Sequence, residues 1–220
     1  MKEMVMKKEL SFINTCIVLL VYIFPIGAQS VPITGIYNTG VDDSGVALPF
    51  GAVDTHYSAS GLASDAFVIS PHPAWVSAPV GSNWIGPSNG NTTDAVGDFI
   101  YTLTFNLSSF DVTTASISGE WAYDNLGILS LNGIATAFSN PTQFFSLSSF
   151  TLNSGFLAGL NTLEFIITNN PGVGINPSGL LVTNLSGDAS LSATVPEPST
   201  VLLLALGIVG VGLARKKTSV

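Results

Sequence analysis

The sequence predicts an all-β protein: an antiparallel β-sandwich or jelly roll with an N-terminal signal-peptide helix and a C-terminal hydrophobic helix. Three observations predict it. Residues 31–195 contain no Lys or Arg and only two Glu, while Ser, Thr, Gly and Asn are abundant, so helix formers are scarce. Aromatic and β-branched residues come in short runs between turn residues, several of them with period two. Apolar segments bordered by basic residues close both ends and set apart about 165 residues, enough for one domain with a substantial core. The expected organisation is a signal peptide at 1–30, a β-sandwich ectodomain at 31–194 and a sorting or anchor segment at 195–217.

The N-terminus carries Lys2, Lys7 and Lys8, then an apolar stretch over 12–26, then the small residues Gly27, Ala28 and Ser30. Basic, apolar and small, in that order, is what a secretory signal requires, and cleavage is expected between Ala28 and Val31. An uncleaved N-terminal anchor is the alternative. Cys16, the only cysteine, lies inside the apolar stretch rather than at its end, which argues against lipidation. Cleavage would leave a mature protein without disulfides or thiol chemistry.

Residues 38–97 contain Pro49, Pro71, Pro73, Pro79 and Pro87 among many Gly, Ser and Asn. They read as long loops with a few short strands such as 66–70, and loops of that length are often functional. The clearest strand is 99–107, FIYTLTFNL, which puts Phe99, Tyr101, Leu103, Phe105 and Leu107 on one face. The next, 115–123, alternates Ile117, Gly119, Trp121 and Tyr123. Strands at 127–131 and 134–138 flank Asn132-Gly133, a hairpin signal because both residues tolerate positive φ. Further strands are expected at 144–152, 163–168 and 179–182, with 185–191 a weaker one.

The domain's charge is one-sided. Residues 31–195 hold nine Asp and two Glu with no base, a formal charge of −11. Such a surface repels nucleic acid and anionic headgroups, so neither is expected as a partner. Without Arg or Lys it cannot clamp a phosphate or carboxylate ligand either. It could attract divalent cations. Asp42-Asp43 with Ser44 and Gly45 forms an oxygen-rich turn, and Asp94 and Asp98 flank Gly97; both pairs are candidates for a structural calcium ion, with solvated acids the alternative.

Catalytic patterns are sparse. His56 and His72 lie in the irregular region without metal-ligand spacing, and no Gly-x-Ser-x-Gly elbow occurs. Glu120 and Glu164 are the only glutamates of the domain, and paired carboxylates would serve glycoside hydrolysis. Each stands next to a core-facing residue on a strand and is expected to point outward. Trp75, Trp84, Tyr57 and Tyr37, in the loops, are candidates for stacking on sugars; covering the ends of the core is the alternative role for them.

Residues 119–133 (GEWAYDNLGILSLNG), 144–150 (FFSLSSF), 159–169 (GLNTLEFIITN) and 178–182 (SGLLV) resemble a recurring pattern in galactose-binding-like jelly rolls. The resemblance rests on Trp121, Asp124, Asn125, Asn132, Gly133, Gly159, Asn161, Leu163 and Asn169. It implies the fold and says little about the ligand; Trp75 and Trp84, as loop aromatics, with Asp124 and Asn125 are the candidate ligand-binding residues. Turn chemistry alone also accounts for Asp124-Asn125, since both side chains bond back to the local backbone.

The C-terminus reads VPEPSTVLLLALGIVGVGLARKK over 195–217. Pro196-Glu197-Pro198 cannot enter a helix and separates the domain from the apolar segment beyond it. That uncharged run ends at Arg215-Lys216-Lys217, which would hold that end in the cytoplasm. Residues 199–214 would make a helix of about 24 Å, short of the ~20 residues of a stable span, which suits transient membrane residence. A GPI signal would end in an apolar tail instead; a plain single-span anchor is the other rival. These three parts in order resemble the PEP-CTERM sorting signal of exopolysaccharide-producing bacteria. The resemblance implies recognition by an exosortase near Pro196–Pro198, release from the inner membrane, and residence on the cell surface or in a biofilm matrix. The expected function is therefore that of an exported, exopolysaccharide-associated protein, non-catalytic and carbohydrate-binding; a secreted polysaccharide-acting hydrolase is the alternative.

Overall fold

The computed structural model describes residues 29–60, 65–89, 93–172, 176–192 and 204–212. Eleven strands make one curled antiparallel sheet: β1 (Ser30–Pro32), β2 (Val53–Ser60), β3 (Asp65–Val68), β4 (Ile85–Gly86), β5 (Gly97–Asn106), β6 (Ser116–Asp124), β7 (Leu126–Leu131), β8 (Ile134–Ala135), β9 (Ser148–Leu152), β10 (Leu160–Asn169) and β11 (Gly179–Ser190). The order is β8-β7-β10-β5-β2-β3-β4-β11-β6-β9, with β1 paired to β11. The run from β8 to β2 forms one layer and the run from β4 to β9 the other; β3 carries the sheet across. A register shift between Asp54 and Ser58, where β2 meets β3, marks that corner.

Period-two patterning fills the space between the layers. Phe99, Tyr101, Leu103 and Phe105 of β5, with Leu163, Phe165 and Ile167 of β10, face Ile117, Trp121 and Tyr123 of β6 and Leu180 and Val182 of β11, all buried. Trp121 and Phe165 meet across the core at a ring separation of 5.8 Å, and Phe150 and Phe165 at 6.1 Å. The all-β sandwich is the expected fold class. The Asn132-Gly133 hairpin forms as read, with φ of 53° and 76° at its two turn residues and Leu131 opposite Ile134.

Several boundaries differ from the sequence reading; the strand expected at 134–138 ends at Ala135. Residues 38–97, read as loops with few strands, contain the eight-residue β2, whose inward positions are Asp54, Tyr57 and Ala59 rather than a run of large aliphatics. Of 144–152 only β9 is strand, because Phe144 is drawn off to a second cluster. The segments 179–182 and 185–191 are one strand, interrupted by a bulge at which Asn184 takes a φ of 52°.

That second cluster lies on the outer face of the β6–β11 layer. Ile69, Trp75 and Trp84, carried by the 69–84 loop, pack on Ala122 and Leu181. Gly179 makes room for it: a Cβ there would stand 2.9 Å from Trp75 Cη2 and 3.1 Å from Ile69 Cδ1. Gly179→Ala is therefore expected to cost about 1–3 kcal/mol by overpacking, read as a lower urea midpoint with an unchanged m-value.

Residues 204–212 are helical, within the expected 199–214 segment. Their Leu204, Leu206, Ile208, Val209 and Val211 are all more than half exposed. Among the described residues, no helix is long and apolar enough to cross a membrane. The signal-peptide stretch through residue 28, Pro196-Glu197-Pro198 and Arg215-Lys216-Lys217 lie outside the described residues.

Candidate functional site

One end of the sandwich brings together Asp94, Asp98, Asp124, Asn125 and Asn169. Register puts Thr168 of β10 between Asp98 of β5 and Leu126 of β7, and Gly179 of β11 opposite Asp124 of β6. Asp124 is 3 % exposed. Its Oδ2 accepts the Trp75 indole N–H at 2.8 Å, and the Asn125 amide donates to its Oδ1. Burial pushes the Asp124 carboxyl above its ordinary value, while the Trp75 bond, the nearby His72 and the Asn125 bond oppose the rise.

Asn125 continues the network. Its Oδ1 accepts Asn170 N–H at 2.9 Å and Asn176 Nδ2 at 2.8 Å. Asn176 Nδ2 also reaches Asn169 Oδ1 at 2.8 Å, and Asn169 Nδ2 donates to the carbonyls of Asp94 and Ala95 at 3.0 and 3.2 Å. Asp94 receives Ser88 Oγ at 2.5 Å, and burial raises its carboxyl despite that bond. At the rim, Thr168 Oγ1 donates to the exposed Asp98 at 2.6 Å.

Trp75, Asp124, Asn125, Asp94 and Asp98 thus belong to one end of the molecule, and three amides that sequence reasoning gave no shared role, Asn169, Asn170 and Asn176, tie it together. A run of turn-forming amides at 169–176 was the available signal. Asp124 and Asn125 bond to each other and to Trp75, Asn170 and Asn176, far away in sequence, rather than to the local backbone as turn chemistry alone would have it.

Of the two roles open to the tryptophans, the structure places them in the covering one. Trp75 and Trp84 are 6 % and 1 % exposed and lie against each other at a ring separation of 4.4 Å, their planes tilted by 35°. The cause is the open outer face of β6 and β11 at Ala122 and Leu181, which these two indoles cover. Each ring nitrogen is satisfied inside the protein, Trp84 by the Val76 carbonyl at 2.9 Å. Tyr57 is buried as well and donates to the Tyr37 carbonyl at 2.7 Å. Among the described residues, the large exposed aromatic faces belong to Phe50, at 61 %, and Phe145, at 66 %. Phe50 adjoins Gly51, which faces the Asn89 side-chain oxygen, so it borders the Ser88–Asp94 edge of the polar end. An apolar residue between Pro49 and Gly51 in a loop was its sequence signal.

The two aspartate pairs read as calcium candidates are separate. Asp42 Oδ1 closes its own turn, accepting from the N–H groups of Ser44 and Val46 at 2.9 Å. Asp43 Oδ1 contacts His56 Nε2 at 2.9 Å. His56 stacks on Tyr37 at 3.6 Å, and its Nδ1 stands 3.6 Å from the buried Asp54. His56 precedes Tyr57, which pairs with Leu103, so at ~3.3 Å per residue along β5 this cluster stands about 15 Å or more from Asp98. Among the described residues, no three His, Cys, Asp or Glu side chains are grouped to hold a metal ion.

Glu120 and Glu164 do not form a carboxylate pair. They sit on β6 and β10, in opposite layers, each between inward-facing neighbours. Glu120 accepts from Asn184 Nδ2 at 2.6 Å, and Glu164 from Ser130 Oγ at 3.1 Å. Layers about 10 Å apart with both side chains turned outward exceed the ~5–10 Å that glycoside hydrolysis needs.

Residues 194–217 match the PEP-CTERM protein-sorting motif, and the chain is an exported protein by that motif. Among solved structures, the fold is similar to a family 35 carbohydrate-binding module from Clostridium thermocellum: 10 % identity, TM-score 0.36, covering 73 % of this chain and 98 % of that one. A family 35 module from Paenibacillus barcinonensis matches at 17 % identity and TM-score 0.32, over 60 % of this chain and 98 % of the other. One from Cellvibrio japonicus matches at 13 % and 0.32, over 75 % and 100 %. No curated protein matches the chain at a significant level.

Proposed function

We propose that this chain is a non-catalytic protein of the bacterial cell surface or extracellular matrix that binds polysaccharide. The sorting motif at 194–217 carries the reading. In it, an exosortase recognises Pro196-Glu197-Pro198, residues 199–214 reside transiently in the inner membrane with Arg215-Lys216-Lys217 on the cytoplasmic side, and the released domain joins the exopolysaccharide. The chemistry of the domain is compatible: no base to hold an anionic ligand, an end rich in amides and hydroxyls, and the exposed ring of Phe50, next in sequence to the Gly51 that faces Asn89, as a stacking face.

Two measurements test it. Intact mass of the protein recovered from its host should show cleavage near residues 28–31 and again near 196–198, and Glu197→Ala should leave the chain membrane-bound with its tail attached. An unchanged mature mass in that variant rules out the sorting route. Polysaccharide pull-down without release of reducing ends is expected, weakened roughly tenfold by Phe50→Ala, the scale of one lost aromatic contact. Turnover abolished by Glu120→Gln or Glu164→Gln would reverse the non-catalytic reading.

A further inference from the structure

The curled sheet does not close. Its path ends at β8 on one side and β9 on the other, and the gap between them is a groove of about 290 Å³ lined by Leu131, Ile134, Phe138, Thr151, Leu152 and Asn153, among others. Ile134 at its rim is 70 % exposed. β9 (SSFTL) is laddered to β6 along one edge. Its other edge has no backbone partner among the described residues.

Edge strands are ordinarily shielded by a charge, a proline, a bulge or a covering element, because a free edge templates pairing with another chain. β9 has none of the first three. Ser149 and Thr151 are its exposed positions, and it pairs with β6 without a bulge.

The sequence shows how far this lack of protection extends. Residues 125–163 contain no Asp, Glu, Lys, Arg or His, and they supply β7, β8, β9 and the loops between them. The nearest carboxylates are one strand in on β6, where Glu120 bonds Asn184, and two strands in from β8 on β10, where Glu164 bonds Ser130. Elsewhere the domain is acidic without a single base, so two copies repel through nearly every other approach.

We infer that this uncharged flank is the interface with a second copy of the chain, formed by antiparallel, two-fold pairing of β9 with β9. A two-fold contact of this kind is self-complementary. It continues the sheet from one copy into the next, supplies hydrogen-bond partners to the free edge, and lays the two apolar grooves along one seam. Like charge elsewhere on the surface selects this flank by penalising the other contacts.

The test uses the full chain with Cys16→Ser, which removes its only cysteine. Under mild oxidation on cells, the double variant Ser149→Cys/Thr151→Cys, whose positions are set opposite each other when the whole strand pairs about Phe150, should give a disulfide-linked dimer; Thr104→Cys, exposed on β5 away from the edge, should not. Purified full-length protein in detergent should weigh as a dimer by light scattering, and Thr151→Lys should weaken association at least ~tenfold by setting like charges across the seam from each other. The thermal midpoint of that variant separates loss of pairing from loss of folding. A monomeric wild type, or equal cross-linking by the 149/151 and 104 cysteine variants, overturns the inference. So does a monomer in which Ile134→Asp abolishes polysaccharide binding, since the groove would then be a glycan site.

Discussion

Asn140→Ala should destabilise the domain by about 3 kcal/mol, the result of stranding several buried polar groups at once. Asn140 is 2 % exposed and its single amide organises the whole turn between β8 and β9. Nδ2 donates to the carbonyls of Trp121, Gln143 and Ser146 at 3.1, 2.8 and 2.7 Å. Oδ1 accepts from the N–H and hydroxyl of Thr142 at 3.0 and 2.7 Å. Its backbone also exchanges hydrogen bonds with the Tyr123 hydroxyl, donating and accepting at 3.0 Å. Alanine leaves those carbonyls without their donor, that of Trp121 in the buried interior and those of Gln143 and Ser146 at its margin, and the loss falls on β6 through Trp121 and Tyr123. Urea denaturation followed by tryptophan fluorescence gives the measurement. Asn140→Asp separates the two halves of the amide: it keeps the Thr142 contacts, loses all three donated bonds and adds a charge, so it should cost at least as much as alanine. A loss under 1 kcal/mol for alanine would mean the turn is held by the Phe138–Phe150 packing instead.

Strands with a strict apolar alternation were legible in the sequence, and the reasons are visible in the core. β5 and β10 place large apolar side chains at every second position, and their expected limits lie within a few residues of the observed ones. β2 was not legible, because one of its inward positions is Asp54 and another is Ala59. A carboxylate can face inward there because the N–H of His56, two residues on, and that of Gly40 satisfy it, and no local pattern announces the second partner fourteen residues away. The tryptophans show the same limit from the other side. Pro, Gly and Ser around Trp75 and Trp84 read correctly as loop, but whether a loop aromatic faces water or a sheet depends on the sheet's outer face. Ala122 and Leu181 leave that face apolar, and they belong to strands far away in sequence. Asp124-Asn125 was legible as a turn; its link to Trp75 was not, for the same reason.

Buried carboxylates make the expected pH dependence opposite to ordinary acid denaturation. Burial raises Asp54, Asp94 and Asp124 above the ordinary value of 3.8 in the folded protein. For Asp54 this outweighs the bonds from Gly40 and His56 and the charge of His56, which pull the other way. A group raised in the folded state takes up its proton before the unfolded chain does. Its contribution to stability is therefore complete below 3.8 and is lost as pH rises through the folded value. Neutralising any of the eleven acids of residues 31–195 also relieves self-repulsion in a domain without a base. Asp111, lowered by its bonds to Thr113, works in the opposite direction but is fully exposed. The thermal midpoint should accordingly rise as pH falls through the raised folded values toward 3.8, the window where folded and unfolded proton binding differ. Asp54→Asn locates the effect. Its two oxygens accept Gly40 N–H at 2.7 Å and His56 N–H at 2.9 Å, so an amide keeps one bond and turns an NH₂ toward the other donor. The variant should lose stability at the lower end of that window yet show a shallower slope across it. A midpoint that falls on acidification in the wild type, or a slope unaltered in Asp54→Asn, would place the controlling groups elsewhere on the acidic surface.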